Sequence, residues 1–480
     1  MRTVTPLRLT CGAFLLTLAG SAAADVVHLK NGGTIVCDRI EERGEVLVLH
    51  QGKGTIQVPR QDVLRIEPGG GASGNPQPAS AASPKAPRAG PIAATDPRAG
   101  AAVPEVAKAP SWFDRDAALR RVEEMKRRQG TPSLARDENR RQLVALLTRL
   151  GEDDLARRQP DEARRHFSEA IASEPHDVRA RCGLAAAYLK LDQDAYARSV
   201  VQQALLDAPD DPELNLLLGQ VAERQDRPEE ALAAWQKSFA ARPSPELGRW
   251  IETLRRQHGI EQNYGRSEAA HFVVRYDGEQ TRSELESSIL EELERQYATL
   301  SRTFDYMPPQ SIVVIIYPER AFYEATLAGP DVAGLYDGKI RMPAGGLHLL
   351  DAEARATLLH ELAHAFITGK SGSAAPRWLQ EGLAQWIEGK RTPTATGVSL
   401  AREFQAHHEA ASWQPVFSYP SALSFVEFLI DRQGFADLND LLAAMGRGQM
   451  PQEAIRSVTG FPFDDLQIQW GQNLTRRYLQ

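Results

Sequence analysis

Apolar residues along this 480-residue chain follow different periods in turn. Between residues 25 and 68 they alternate with polar ones in short runs, at 26–29, 34–40, 45–50, 55–59 and 63–67, broken by turn residues such as Asn31-Gly32-Gly33. Such alternation puts every second side chain on one face, so five short strands forming a small all-β module are predicted over 25–68. From 69 to 110 the pattern vanishes. Eight prolines, from Pro76 to Pro110, are interleaved with Ala, Gly and Ser, and no aromatic residue occurs. That stretch cannot bury enough apolar surface to offset its ordering entropy, and it reads as a disordered linker with a reach of roughly 35–40 Å. Over 111–260 the spacing is helical. From about 267 it becomes mixed: 271–276 and 311–317 read as strands, with an amphipathic helix at about 281–304 between them and another strand at 334–343. Beyond Asp351 helical spacing continues to the end.

Inside the helical stretch the chain superposes on itself at a shift of 34 residues. Small residues align in two columns (Ala163, Ala197, Ala231 and Ala170, Ala204, Ser238), bulky ones in a third (Phe167, Val201, Trp235). Gly151, Ala185 and Gly219 align as well, and so do Pro175, Pro209 and Pro243. The pattern resembles the tetratricopeptide repeat, in which small residues let two antiparallel helices approach and proline ends the second. The resemblance implies an α-helical solenoid with repeats at about 144–177, 178–211 and 212–245, a protein partner, and capping helices at 112–128 and 245–258. Arg120, Arg121, Lys126, Arg127 and Arg128 in the first cap read either as an anionic docking site or as a solvated face. The 25–68 segment resembles the SH3-like modules of bacterial envelope proteins, which implies a docking role.

His360-Glu361-Leu362-Ala363-His364 carries the candidate chemistry. It falls in an amphipathic helix with Asp351 as N-cap. Residues four apart on a helix lie about 40° apart around the axis, so both imidazoles can reach one metal ion. Glu361 projects from the edge of the same face, placed to act as base on a zinc-activated water. A catalytic zinc needs a third protein ligand. A metzincin arrangement would put Gly at 367 and His at 370, but Ile367 and Lys370 stand there. Instead Trp378-Leu379-Gln380-Glu381-Gly382-Leu383-Ala384 offers a glutamate on the next helix, 17 residues beyond His364.

HELAH followed by this second motif resembles the gluzincins, the thermolysin-like metallopeptidases of the peptidase MA group, over about 265–480. The resemblance implies an α+β peptidase domain acting on protein or peptide and one Zn2+ per chain held by His360, His364 and Glu381. Glu361 would be the general base. Where thermolysin has an aspartate four residues after its glutamate ligand, this chain has Gln385, so support for a histidine must come from elsewhere, with Glu388 a candidate. Two assignments stay open. The strand at 338–343 is either a sheet edge that pairs with substrate or an internal strand. Tyr419 resembles the tyrosine of aminopeptidase-like gluzincins that donates to the developing oxyanion, with His407 and His408 as competitors.

The net charge of −7 carries no basic excess and argues against nucleic acid as partner. Arg2 and Arg8, the apolar run at 11–20 and the small residues up to Ala24 read as a signal peptide over 1–24, with cleavage after Ala24. No later run is apolar enough to span a bilayer, so an exported, periplasmic or secreted protein is expected. Cys37 and Cys182 fall in different segments, which disfavours a disulfide scaffold. The alternative is an envelope scaffold whose repeats bind partners and whose peptidase-like domain is degenerate. The pattern after about residue 262 reads as self-contained, so that part is expected to fold without the repeats.

Overall fold

The computed structural model describes residues 25–29, 34–37, 39–43, 46–51, 54–60, 63–67, 113–127, 133–278, 283–330, 332–345, 350–407 and 418–480. The signal-like N-terminus, the linker at 69–110, Arg128 and His408 lie outside the described residues. The chain divides into two compact units, residues 1–86 and 87–480.

The first unit contains β1 (Asp25–Leu29), β2 (Thr34–Cys37), β3 (Arg39–Arg43), β4 (Val46–Gln51), β5 (Gly54–Pro59) and β6 (Val63–Glu67). The run at 34–40, read as one strand, is two strands in different sheets. The orders are β2-β1-β6 and β3-β4-β5, antiparallel throughout. Val27, Leu47, Leu49 and Val58 form its core.

Among the described residues the second unit opens with eight helices: α1 (Arg115–Arg127), α2 (Ser133–Ala156), α3 (Pro160–Ser173), α4 (Val178–Lys190), α5 (Asp194–Asp207), α6 (Pro212–Arg224), α7 (Pro228–Ala241) and α8 (Pro245–Glu261). The repeating columns form the core. Ala163, Ala197, Ala231, Phe167 and Val201 are wholly inaccessible, and Trp235 nearly so. Size is matched across the helix pairs. A methyl group on Gly151 would lie 2.7 Å from the Phe167 ring, and one on Gly219 would overlap Trp235. The middle repeat takes Ala185 where the partner is the smaller Val201. Close packing explains why the glycine and the aromatic occur together. Asp177 and Asp211, also 34 apart, cap α4 and α6 by accepting from Ala180 N (2.7 Å) and Leu214 N (2.9 Å). Within the basic run, Arg121 pairs with Glu124 and Lys126 with Glu123 and Glu169, which fits the solvated-face reading.

Next come β7 (Gly265–Glu268), β8 (Phe272–Tyr276), α9 (Ser283–Phe304), β9 (Ile312–Pro318), α10 (Glu319–Thr326), β10 (Leu335–Tyr336) and β11 (Ile340–Gly345). The sheet order is β10-β11-β9-β8-β7, with the central three strands parallel and both outer pairs antiparallel. The segment at 334–343, read as one strand, is a hairpin. Asp337-Gly338 makes the turn, and the Asp337 side chain accepts from Lys339 N (3.2 Å). β11 is therefore internal over Ile340–Arg341, where β10 pairs with it. Among the described residues no strand pairs with its later half on that side. The chain ends in α11 (Ala352–Lys370), α12 (Arg377–Ile387), α13 (Thr394–His407), α14 (Tyr419–Gln433), α15 (Phe435–Gly446), α16 (Pro451–Thr459) and α17 (Phe463–Tyr478). No described helix is long and apolar enough to cross a membrane.

β9 has an apolar residue at nearly every position because both its faces are covered. Ile312, Val314 and Ile316 join the core under α9 and α11. Val313, Ile315 and Tyr317 face the other way, where Phe322 of α10 and Ile260 of α8 pack on them. The last helix of the repeat region thus forms part of the core on this face of the sheet. Its terminal Glu261 is buried and accepts from Arg341 Nη1 (2.7 Å), Arg275 Nη1 (3.2 Å) and the Tyr317 hydroxyl.

All three turns inside the repeats dock on the same side. Arg158, Asp192 and Asp226 adopt left-handed backbone (φ 58°, 54° and 55°) at 34-residue intervals. The backbone at Arg158 abuts Gly448, the Asp192 carbonyl accepts from Gln310 Nε2 (2.9 Å), and Asp226 binds Lys339 Nζ (3.1 Å) and Arg275. The segment from 262 is therefore not self-contained.

A chain beginning at residue 262 is expected to be insoluble or molten, whereas one beginning at 113 folds cooperatively. Partly uncovering Val313, Ile315 and Tyr317, at up to about 1.5–3 kcal/mol each, and stranding Arg341 and Arg275 without Glu261 forfeits an amount comparable with a domain's whole ~5–15 kcal/mol. Thermal unfolding of the two fragments checks this, and a sharp transition in the shorter one contradicts it. Glu261→Ala in the full chain leaves buried guanidinium groups undercompensated and should cost about 3–5 kcal/mol by denaturant titration.

Candidate metal centre

α11 begins at Asp351, whose side chain accepts from Ala354 N (2.8 Å), and runs through the HELAH sequence. Its apolar positions Leu358, Leu362 and Phe366 point into the core, which turns His360 and His364 to the opposite edge. After a tight turn at 371–376, α12 folds back against α11 and carries Glu381 towards the histidines. One close approach fixes the next helix. The atoms of Gly382 lie so near Ala422 and Val426 of α14 that a methyl group there would sit 2.5 Å from the Ala422 carbonyl oxygen. Glycine directly after Glu381 therefore lets α14 cross α12 and brings Tyr419, its first residue, to the site.

His360, His364 and Glu381 offer ligand atoms that all lie within 4.8 Å of one another. The two Nε2 atoms are 3.2 Å apart, and Glu381 Oε2 is 3.7 Å and 3.6 Å from them. Two nitrogens on one tetrahedral zinc, with bonds of ~2.0–2.1 Å, would be roughly 3.3 Å apart, so this donor set fits that ion. The outward ring nitrogens are occupied. His360 Nδ1 donates to Glu388 Oε2 (3.0 Å) and His364 Nδ1 to Gln380 Oε1 (3.3 Å). With Nδ1 donating, the neutral form of each ring, the form that binds a metal, presents Nε2 as the lone-pair atom facing inward. Glu381 Oε1 faces away, towards Arg377 Nε at 3.8 Å.

The charges interlock. Burial alone would lower the basicity of His360, but the nearby Glu381 carboxylate and the hydrogen bond to Glu388 outweigh it and hold the pKa up at about 10. Burial would raise Glu381, yet the nearby His360 and His364 rings keep it well below the usual carboxylate range. Glu361 differs. It is buried, burial pushes its pKa up, and Glu381 and Glu388 add to the rise against the two histidines. Gly334, just before β10, packs on it: a methyl there would be 2.9 Å from Glu361 Oε1.

The structure brings five of the sequence candidates together: His360, His364, Glu381, Glu361 and Tyr419. The Tyr419 ring is half-buried beside Glu381 and Glu361, with the Arg377 guanidinium close to its hydroxyl. His407 is exposed at the end of α13 and bonds back to the Glu403 carbonyl (2.9 Å). Gln385, standing where a histidine partner was sought, instead donates to the carbonyl oxygens of Glu381 (3.0 Å) and Tyr419 (2.9 Å), clamping α12 to α14. Glu388 supplies the histidine partner. Sequence reasoning missed Gln380 and Arg377, although both lie inside or beside the second motif, one residue before Glu381 and one turn before it.

No curated protein matches the chain. A family model of the tetratricopeptide repeat matches residues 154–221, and a model of the peptidase MA superfamily matches residues 348–476. The second match spans the whole donor set, and the first spans the turns at Arg158 and Asp192, which dock on Gly448 and Gln310. This chain joins a tetratricopeptide repeat region to a peptidase MA superfamily domain.

Proposed function

We propose that this chain is an exported, zinc-dependent metallopeptidase that hydrolyses peptide bonds in protein substrates, with its repeats recruiting the substrate or a protein partner. The observation that carries the reading is the inward-facing triad of His360 Nε2, His364 Nε2 and Glu381 Oε2, with a partner on the outer side of each group. Bound there, one Zn2+ would supply Lewis acidity, lowering the pKa of a coordinated water to about 7 and polarising a peptide carbonyl. Glu361 takes the proton of the attacking water and passes it to the leaving amine. Its burial suits that work, since a carboxylate with a raised pKa holds a proton better between the two transfers. Tyr419, kept protonated by burial and by neighbouring carboxylates, donates to the oxygen on which charge develops. The N-terminal signal-like sequence supports export, and the all-β module is assigned a docking role.

Purified protein should contain close to one zinc per chain, whereas a scaffold with a degenerate peptidase domain would contain none. Glu361→Gln is expected to keep the metal and lose hydrolysis of an unfolded protein substrate, because the base is not a ligand. Glu381→Ala should lose most of the metal. Full zinc and full activity in Glu381→Ala would sink the assignment.

Tyr419→Phe deletes only the hydroxyl. It should lower kcat by about 10²–10³-fold while zinc content and Tm stay at wild-type values. A kcat within a few-fold of wild type would make Tyr419 a packing residue.

A further inference from the structure

Among the described residues, Arg377 is the one cation whose side chain lies beside both the candidate ligand Glu381 and the candidate donor Tyr419. It is the first residue of α12, one turn before Glu381 on the same face. The helix dipole does not account for it. A cation in the first turn opposes the helix dipole, and α12 has no acidic residue there to offset it. Half-exposed, it faces Glu381 Oε1 at 3.8 Å while Oε2 faces the histidines.

We propose that Arg377 is a positioning residue for this site, holding Glu381 to one-oxygen ligation and aiming the Tyr419 hydroxyl at the reacting carbonyl; the proposal rests on the metallopeptidase reading. The first half follows from charge. A guanidinium beside the outer oxygen competes for it and leaves Oε2 alone for the ion, as Glu388 and Gln380 do for the two rings. The second half follows from hydrogen-bond polarity. A guanidinium has only donors, so towards Arg377 the phenol oxygen can only accept. The phenol's own proton is then free to point elsewhere, and the adjacent positive charge polarises it as a donor. Meanwhile Gln385 fixes the Tyr419 backbone through its carbonyl (2.9 Å). Side chain and main chain of Tyr419 are thus both anchored to α12, the helix that bears Glu381.

The experiment compares Arg377→Met, Arg377→Lys, Tyr419→Phe and the Arg377→Met/Tyr419→Phe double variant in the full chain. Zinc affinity is read by competition with a chromophoric chelator, and kcat and KM by cleavage of labelled unfolded casein at saturating zinc. Arg377→Met should weaken zinc by about 10–100-fold. It should lower kcat by about 10²–10³-fold, as Tyr419→Phe does, with KM changed only a few-fold. If Arg377 acts through Tyr419, the double variant is no slower than Arg377→Met alone. Arg377→Lys keeps the charge but not the fork, so it should recover zinc affinity and leave kcat low. Unchanged zinc affinity and kcat in Arg377→Met overturn the proposal, and so do losses that multiply in the double variant. Should Arg377→Met fold poorly, the Arg377→Lys split between affinity and kcat decides. Zinc-loaded wild type that cleaves nothing sinks the metallopeptidase reading, while the chelator competition still judges Arg377.

Discussion

A parallel strand with apolar side chains on both faces must be covered twice, and the second unit is organised around that requirement. One cover of β9 is α9 with α11, the helix that carries the two histidines. The other is α10 together with α8, the helix that closes the solenoid. Repeat region and peptidase region therefore share a core, and the buried Glu261 with its arginine partners fixes the join at one register. An ionic cluster of this kind adds little net stability beyond a well-packed apolar one, but it penalises any misaligned packing, because each slip strands a buried charge.

The candidate centre depends on the same logic at a smaller scale. α11 is held by its apolar face, α12 by the turn that folds it back, and α14 by the contact that Gly382 permits. Each of the three donor groups then has a neighbour that settles which atom faces inward. Glu388 and Gln380 do this for the histidines and Arg377 for the glutamate. The arrangement concentrates carboxylates around two imidazoles, so opposite charges steady one another inside the site, while Glu361 stands slightly apart with its proton affinity raised.

Much of this was legible in the sequence because it rests on periodicity and on spacing within single helices. The 34-residue columns, the pairing of His360 with His364, the N-cap at Asp351 and the apolar run of β9 are all local. What escaped was relational. The Asp337-Gly338 turn was hidden by the strand-like residues on either side of it, so a hairpin read as one strand. α8 shows the ordinary amphipathic pattern of a cap, and nothing in that pattern says that its apolar stripe lies on a sheet. Gln385 occupied a position where a carboxylate was sought, yet its amide bonds main-chain oxygens of two helices, a role set by the crossing of α12 and α14. Arg377 escaped because one of its neighbours lies a turn further along its helix and the other on a different helix.

The left-handed turns at Arg158, Asp192 and Asp226 meet three different parts of the peptidase region: the loop after α15, the stretch before β9 and the hairpin of β10 and β11. Solenoids that stand free can gain or lose a unit and keep their neighbours, since each repeat touches only the next. Here a duplicated or deleted unit would carry every later turn to the wrong contact. The number of repeats in this chain is thereby locked, and variation in what the solenoid binds is left to side chains rather than to length.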